Sequence, residues 1–473
     1  MNRLISFTLL LCCLTAIAIA AEDTTAPASA GTYQNLSLEQ CIQLALYNNL
    51  DIRSAREQLN ISESSYRIAK SVTDIAGTVS GKEGISGNGE TEWTDNAGVS
   101  FSKYFLTGGT ASLSGDVDHS QNGDAAYGSS ANLSFSQPLL KGYGGTNTYY
   151  TAEGRRIYDE QITITRTLQS NKRSLIYSVT ASFYGLIGAQ RSIKIAEDAV
   201  DESQRLLKAA QTKKEEGLVA KIDVIRAEVQ LAQTQARLVS TRRNYESQLD
   251  SFVNYLGLEL GTPLTIDTTI NYVVRPVNLD SLLNLAFRNR TDYRSAELNL
   301  ALDAIKLKIT KRNLLPDVSA DARYTLSDSG TDFGNAFSLS NSSWVASLSW
   351  SVPLWQNRRS LKEDYIQEVA QQKIDEISFE DTKRSIALEV RQAIIGVLEA
   401  EENLQIIGKS VAAAEESLRL AKLSYEEALV SYLDVLNAQN NYTEVQNSYT
   451  NALIGYVRAL ANLDRVTASD PHL

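Results

Sequence analysis

The sequence predicts a mixed α and β protein in which two tandem copies of one unit build a long antiparallel helical barrel with a strand segment at one end. Three observations carry this. The stretch EEGLVAKIDVIRAE at 215–228 returns 211 residues later as EEALVSYLDVLNAQ at 426–439, with seven of fourteen positions identical. Each half also holds a segment whose residues alternate apolar and polar, and a helical pair whose large apolar residues recur every seven positions.

The chain opens with Arg3, an apolar run and then Ala18-Ile19-Ala20. Residues 1–21 read as a secretory signal peptide cut near Ala20 or Ala21, with an uncleaved membrane anchor as the alternative. Cys12 and Cys13 raise lipoprotein processing, but the residues ahead of them are Leu10-Leu11 rather than small. Residues 22–35 form an N-terminal linker. Once the leader is removed only Cys41 remains, so no intramolecular disulfide can form even in an oxidising compartment, and Cys41 reads as a small core residue. His119 and His472 are the only histidines. That leaves no metal-ligand cluster and no histidine-based catalytic pair, so no cofactor, no metal and no enzyme activity are expected. A net charge of −11 with interspersed Lys and Arg argues against nucleic acid as a partner.

Repeat 1 covers 36–262 and repeat 2 covers 279–466, joined by a linker at 263–278 and followed by a tail at 467–473. Their first parts are helical stretches at 38–71 and 279–313. The segment 36–55 aligns without gaps on 277–296, matching at eight of twenty positions and placing Cys41 opposite Leu282. Strand segments follow at 74–140 and 317–354. In the second, Val318, Ala320, Ala322, Tyr324 and Leu326 alternate with Ser319, Asp321, Arg323, Thr325 and Ser327. Such strands suit a soluble sandwich or a membrane barrel. Between its first helical part and the Pro that closes the strands, Pro138 against Pro353, repeat 1 carries 26 more residues than repeat 2, and its strand segment holds four strand candidates, near 75–85, 97–106, 110–119 and 130–140.

Long helical hairpins complete each repeat, at 155–256 and 358–463. Val179, Leu186, Ile193, Val200 and Leu207 form a heptad seam with small residues three positions after each, and Val390, Val397, Leu404, Val411 and Leu418 repeat it. Large and small residues alternating on one seam let helices approach closely. The outgoing helix from 155 would span about 90 Å, much more than the return, and the helix near 49–72 supplies the missing length. Four such helices cannot bury every seam alone, so partners are required. The duplicated stretch then lies at the tip of each hairpin, with Gly217 at the reversal and Asp223 placed to cap the returning helix or to face the tip.

The tip motifs GLVAKIDVIRA and ALVSYLDVLNA, together with the strand ends QPLLKGYG and SVPLW, resemble the TolC-like outer membrane efflux proteins over about 36–466. The resemblance implies a homotrimer: a β-barrel in the outer membrane of a Gram-negative bacterium, in contact with its lipid, continued by a periplasmic α-helical tunnel. The implied function is a gated duct for efflux or type I secretion, working with a periplasmic adaptor and an inner-membrane transporter. By motif position Tyr425 matches a gating tyrosine, Asp223 its partner aspartate, and Asp434 the first of two aspartates ringing the entrance. Val430 stands where the best-known member has a gating arginine, and Asn437 where it has the second aspartate. The resemblance places adaptor docking at the turns Gly217, Leu218, Val219 and Ala220, and Ala428, Leu429, Val430 and Ser431. For Asp223 and Asp434 the plainer reading is a helix cap or solvated charge. A structural or adhesive coiled-coil envelope protein would explain the heptads but not the strand segments.

The four strand candidates admit two arrangements. All could cross the membrane, giving six strands per chain and eighteen per trimer, or one hairpin could stand outside the twelve-stranded barrel the resemblance implies. The second is favoured because the first strand is poor in apolar residues and Lys103 shares a face with Val99, Phe101 and Phe105.

Overall fold

A computed structural model describes residues 33–469 apart from 88–90, 123, 145–148, 218, 269, 271–274, 332–333, 335–337 and 428. The expected leader, most of the N-terminal linker, and Leu218 and Ala428 of the turns lie outside the described residues. Strand β1 (Tyr33–Leu36) pairs in parallel with β6 (Leu264–Ile266), so each expected linker contributes a strand.

The expected helical stretch 38–71 is two helices, α1 (Leu38–Asn48) and α2 (Leu50–Ser71). Asn49 breaks it. Its backbone leaves the helical region (φ −59, ψ 128), and its side chain accepts from the N–H groups of Asp51 and Ile52. In the second half α5 (Leu279–Asn289) and α6 (Thr291–Asn313) part in the same way at Arg290, with φ −71 and ψ 135. Cys41 is fully buried on α1, as its position opposite Leu282 suggests, and burial pushes its thiol up to about 12.

The long helices are α3 (Tyr149–Glu215, 67 residues), α4 (Lys221–Tyr255, 35 residues), α7 (Trp355–Glu426, 72 residues) and α8 (Tyr432–Thr467, 36 residues). At 1.5 Å per residue α3 runs about 100 Å, far beyond α4. Helix α2 makes up the difference: Tyr255 at the end of α4 meets the start of α2, its carbonyl accepting from Asn49 Nδ2 at 3.4 Å. Gly257 (φ +68) permits this joint, because a Cβ there would come within 2.7–3.0 Å of the Asn48–Asn49 backbone. At the matching joint Asn289 Nδ2 donates to the Ala468 carbonyl at 3.2 Å.

The heptad seams meet inside this bundle. Val179, Leu186, Ala189, Ala196, Ser203 and Ala210 of α3 are buried, as are Val390, Ala393, Val397, Leu404, Ala414 and Leu418 of α7. Packing places the helices in open arrays, α2–α3–α6–α7 beside the sheet and α4–α3–α8–α7 toward the tips. The outer helices carry apolar residues that nothing among the described residues covers. On α4 these are Ile222, Ile225, Val229, Ala232, Ala236 and Val239, spaced alternately three and four apart and all exposed. On α7 Ile377, Leu388 and Ile395 are exposed, and on α2 Ile61 and Ile68.

One antiparallel sheet holds β2 (Ile75–Gly87), β3 (Thr91–Tyr104), β4 (Thr110–Asn122), β5 (Asp124–Pro138), β7 (Asp317–Gly330) and β8 (Asn341–Ser351), in that spatial order. The favoured detached hairpin is therefore corrected: all four strands of the first segment pair along their length in a single ladder with the two of the second. The two features that suggested otherwise have local explanations. Lys103 is the last residue but one of β3, where a long side chain can reach past the apolar face. The glycines of β2 lie among Ile75, Val79 and Ile85, which are exposed on one face.

Candidate functional site at the hairpin tips

The two hairpins of the chain meet at their tips around a third apolar cluster, Leu206, Ala210, Val224, Ala227, Tyr425, Tyr432 and Val435. Gly217 makes the first reversal. Its φ of +75 lies in the left-handed region that favours glycine, its N–H donates to the Lys214 carbonyl at 3.0 Å, and the space a Cβ would enter is open. Val219 is half-buried and Ala220 exposed. In the second turn Leu429 is 72% exposed, Ser431 is exposed, and Val430 leans on the apolar cluster.

The two aspartates, identical in motif position, do different work. Asp434 closes a capping box: its carboxylate accepts from the Ser431 N–H at 2.9 Å and the Ser431 hydroxyl at 2.7 Å. Those bonds hold its carboxyl below the usual carboxylate range. It stays charged as pH falls until that lowered value is reached. Asn437, three residues on, is exposed on the same face. Asp223 forms no such box, since Ala220 offers no hydroxyl and makes no side-chain cap. Its carboxylate instead meets the Arg226 guanidinium at 3.4 Å.

Asp223 also lies close enough to act on two buried phenols. Tyr425, 4% exposed on the last turn of α7, stands edge-to-face with Tyr432 on the first turn of α8, centroids 6.3 Å apart. Burial, and after it the Asp223 charge, pushes the Tyr425 phenol up. Burial, then Tyr425 and Asp223, pushes Tyr432 up to about 12. Tyr425 and Asp223, which the resemblance pairs, are thus brought into one neighbourhood, while Asp434 and Asn437 face solvent. Neither phenol oxygen has a hydrogen-bond partner among the described residues.

Two residues of this cluster escape sequence reading. Lys213, half-buried near the end of α3, reaches across to the other hairpin. Its ammonium sits 4.2 Å from the Tyr425 ring centroid, donates to the Tyr425 carbonyl and lies 3.4 Å from the Glu426 carbonyl. Tyr432 is the second. It stands opposite Lys221 in the repeated stretch, and that mismatch was the available signal: an aromatic replaces a charge where one hairpin tucks against the other. Lys422 with Glu202 at 2.9 Å and Gln230 with Asn440 at 3.2 Å tie the hairpins further from the tip.

A long helical bundle ending in paired tips at one end, and at the other a sheet with one apolar face, define a channel of the outer-membrane duct class. The chain belongs to the outer membrane efflux protein family, whose description matches it over residues 41–258 and 282–469. It is 23% identical over 405 residues, 83% of this chain and 75% of the relative, to the probable efflux pump outer membrane protein TtgC of Pseudomonas putida. The antibiotic efflux pump outer membrane protein ArpC of the same species matches equally. Among solved structures, the fold resembles the outer-membrane channel OprN (TM-score 0.69, 17% identity, 92% of this chain and 90% of that one). It also resembles the open-state MtrE outer membrane channel of Neisseria gonorrhoeae (TM-score 0.70, 16% identity, 91% and 89%). The protein is an outer-membrane efflux channel, and its role is that of the outer duct.

Proposed function

We propose that three copies close into one tunnel, each supplying two tandem repeats. The tunnel passes cargo from an inner-membrane transporter and a periplasmic adaptor across the periplasm and the outer membrane, in efflux or type I secretion. The observation that carries this reading is the pair of unpartnered flanks. One flank of the chain is β2, α2 and α4; the other is β8 and α7. Each carries exposed apolar seams or unpaired strand backbone along its length. A ring of copies covers both flanks with one repeated contact.

At the periplasmic end, the closed entrance is held by Lys213 gripping the end of α7, with Tyr425 and Tyr432 packed beside Asp223. No arginine stands at 430, so a cation from the neighbouring hairpin's outgoing helix serves as the clip. Adaptor docking falls to the turns at 217–220 and 428–431, where Gly217 and Leu429 present open surface. Docking there releases the clip and parts the hairpins.

Threefold symmetry sets three copies of Asp434 around the entrance, where like charges in a constriction favour cations. An exposed aspartate is ionised at neutral pH, and the capping box holds this carboxyl below the usual carboxylate range. Asp434→Asn is therefore expected to weaken cation selectivity in planar bilayers. Unchanged reversal potentials would leave Asp434 with its cap alone.

A further inference from the structure

We infer that the membrane sheet of this protein closes as an eighteen-stranded barrel, six strands from each of three copies, with β2 of one copy pairing β8 of the next. The inference rests on the trimer proposed above and adds what fills the membrane. Its first support is the register. Gly77, Phe101, Leu113, Leu133, Tyr324 and Trp344 lie side by side in one row across all six strands. The adjoining row on the opposite face, Thr78, Ser100, Ser114, Asn132, Thr325 and Ser343, is polar throughout. One face for lipid and one for water is the pattern of a transmembrane barrel wall, and it does not lapse in the extra strands. The apolar face is also the more exposed: Leu133 and Phe135 are open while Asn132 and Ser134 between and beside them are half-buried.

The margins agree. Glu83, Asp95 and His119 form a polar row on the apolar face toward the end of the sheet away from the helices, with Ile85, Trp93 and Gln121 beyond it, and Lys103 lies in that face's last row of β2 and β3 toward the helices. The β3–β4 turn sits at the helical end, since the Gly144 N–H donates to the Thr107 carbonyl at 2.9 Å and Gln137 Nε2 to the same oxygen at 3.1 Å. A hairpin standing outside the membrane would have no reason to tie its turn to the start of the helical bundle.

Closure follows from the edges. Among the described residues strands β2 and β8 each have one neighbour, and unpaired backbone N–H and C=O groups cannot be left in hydrocarbon. Strand β2 runs away from the helical end and β8 returns to it, so their pairing between copies is antiparallel, as in the rest of the sheet. They also leave the chain on the same two flanks as the unpartnered helices, so one copy-to-copy contact serves sheet and bundle together.

The dimensions fit as well. Twelve helices at about 9 Å spacing make a ring of about 110 Å circumference. Eighteen strands about 4.8 Å apart and tilted about 40° need about the same, and twelve strands only about 75 Å. The wider barrel therefore continues the helical tunnel without narrowing, at about 1.5 times the diameter of a twelve-stranded one. Cargo that passes the tunnel meets no second constriction from the wall in the outer membrane.

The test uses cysteines in the full chain, where Cys41 is buried. Leu106, 59% exposed in the β3–β4 turn, is replaced in Leu106→Cys, and Gly334 of the β7–β8 connection, where a side chain meets open space, in Gly334→Cys. On intact cells a membrane-impermeant maleimide is expected to label Gly334→Cys and spare Leu106→Cys until the outer membrane is opened. Pairs drawn from Ala76→Cys, Thr78→Cys and Ser80→Cys with Ser343→Cys, Val345→Cys and Ser347→Cys share the polar face and are expected to yield disulfides between copies. Subunit mass is measured on the same samples. A trimer whose Leu106→Cys is labelled from outside, or whose β2 and β8 never cross-link, overturns the barrel and leaves the trimer standing. A dimer or monomer overturns both.

Discussion

Replacing Lys213 with alanine is expected to leave the protein assembled in the outer membrane but open at its periplasmic end. The Lys213 ammonium joins two hairpins by charge-assisted bonds to carbonyls and by its seat over the Tyr425 ring. A hydrogen bond to a charged group contributes about 1.5–3 kcal/mol and a partly exposed cation–π contact about 0.5–1 kcal/mol. Even at the low end the sum is about 2 kcal/mol, which shifts an open-to-closed ratio about thirtyfold per copy. Single-channel recordings on Lys213→Ala should therefore show a raised open probability, and cells carrying it should admit large hydrophilic antibiotics. Lys213→Arg is the control: it keeps a cation of similar reach and is expected to stay closer to wild type. Recordings in which Lys213→Ala matches wild type would place the lock elsewhere in the tip cluster.

The second large effect is expected at the turn. Gly217→Trp should abolish export while the complex remains assembled, because Gly217 faces open space at the surface where the adaptor is proposed to dock. The backbone there also disfavours a side chain, by about 1–2 kcal/mol for an L-residue in the left-handed region. That strain must be separated from obstruction. Gly217→Asn separates them, since asparagine tolerates the same conformation without bulk. Loss of export with tryptophan and its survival with asparagine indicate a docking surface. Normal export by Gly217→Trp would move the contact to another part of the tip.

Much of the fold can be read from the residues, and the parts that cannot have identifiable causes. Heptad seams were legible because Val179, Leu186 and Val200 face a neighbour within the chain, and a repeat of seven implies such a neighbour. The break at Asn49 was less visible, as Asn49 lies inside an otherwise continuous apolar pattern and only its side-chain bonds to Asp51 and Ile52 reveal a cap. The strands announced their faces but not their partners: alternation fixes which side a residue takes and leaves open which strand lies beside it. Alternation alone puts Lys103 among lipid-facing residues, and its place next to the last residue of β3 lets its ammonium leave that face.

The candidate site divides similarly. The Tyr425–Asp223 neighbourhood follows the motif, and Ser431-Tyr432-Leu433-Asp434 carried the capping-box signature in its spacing. The contrast with Ala220, which cannot form that box, was equally present in the two copies. Lys213 was not legible, because its partners are main-chain carbonyls of a helix end 212 residues away, and carbonyls leave no mark in a sequence.

The central claim is that the apolar seams left open on α4 and α7 are covered by further copies of this chain, so that the duct exists only as a ring of three. Mass measurement on the complex extracted from the outer membrane in mild detergent tests it most directly, with helix content checked by circular dichroism. The account predicts a species of three times the mature chain mass, rich in helix. A monodisperse monomer with the same helix content would contradict it.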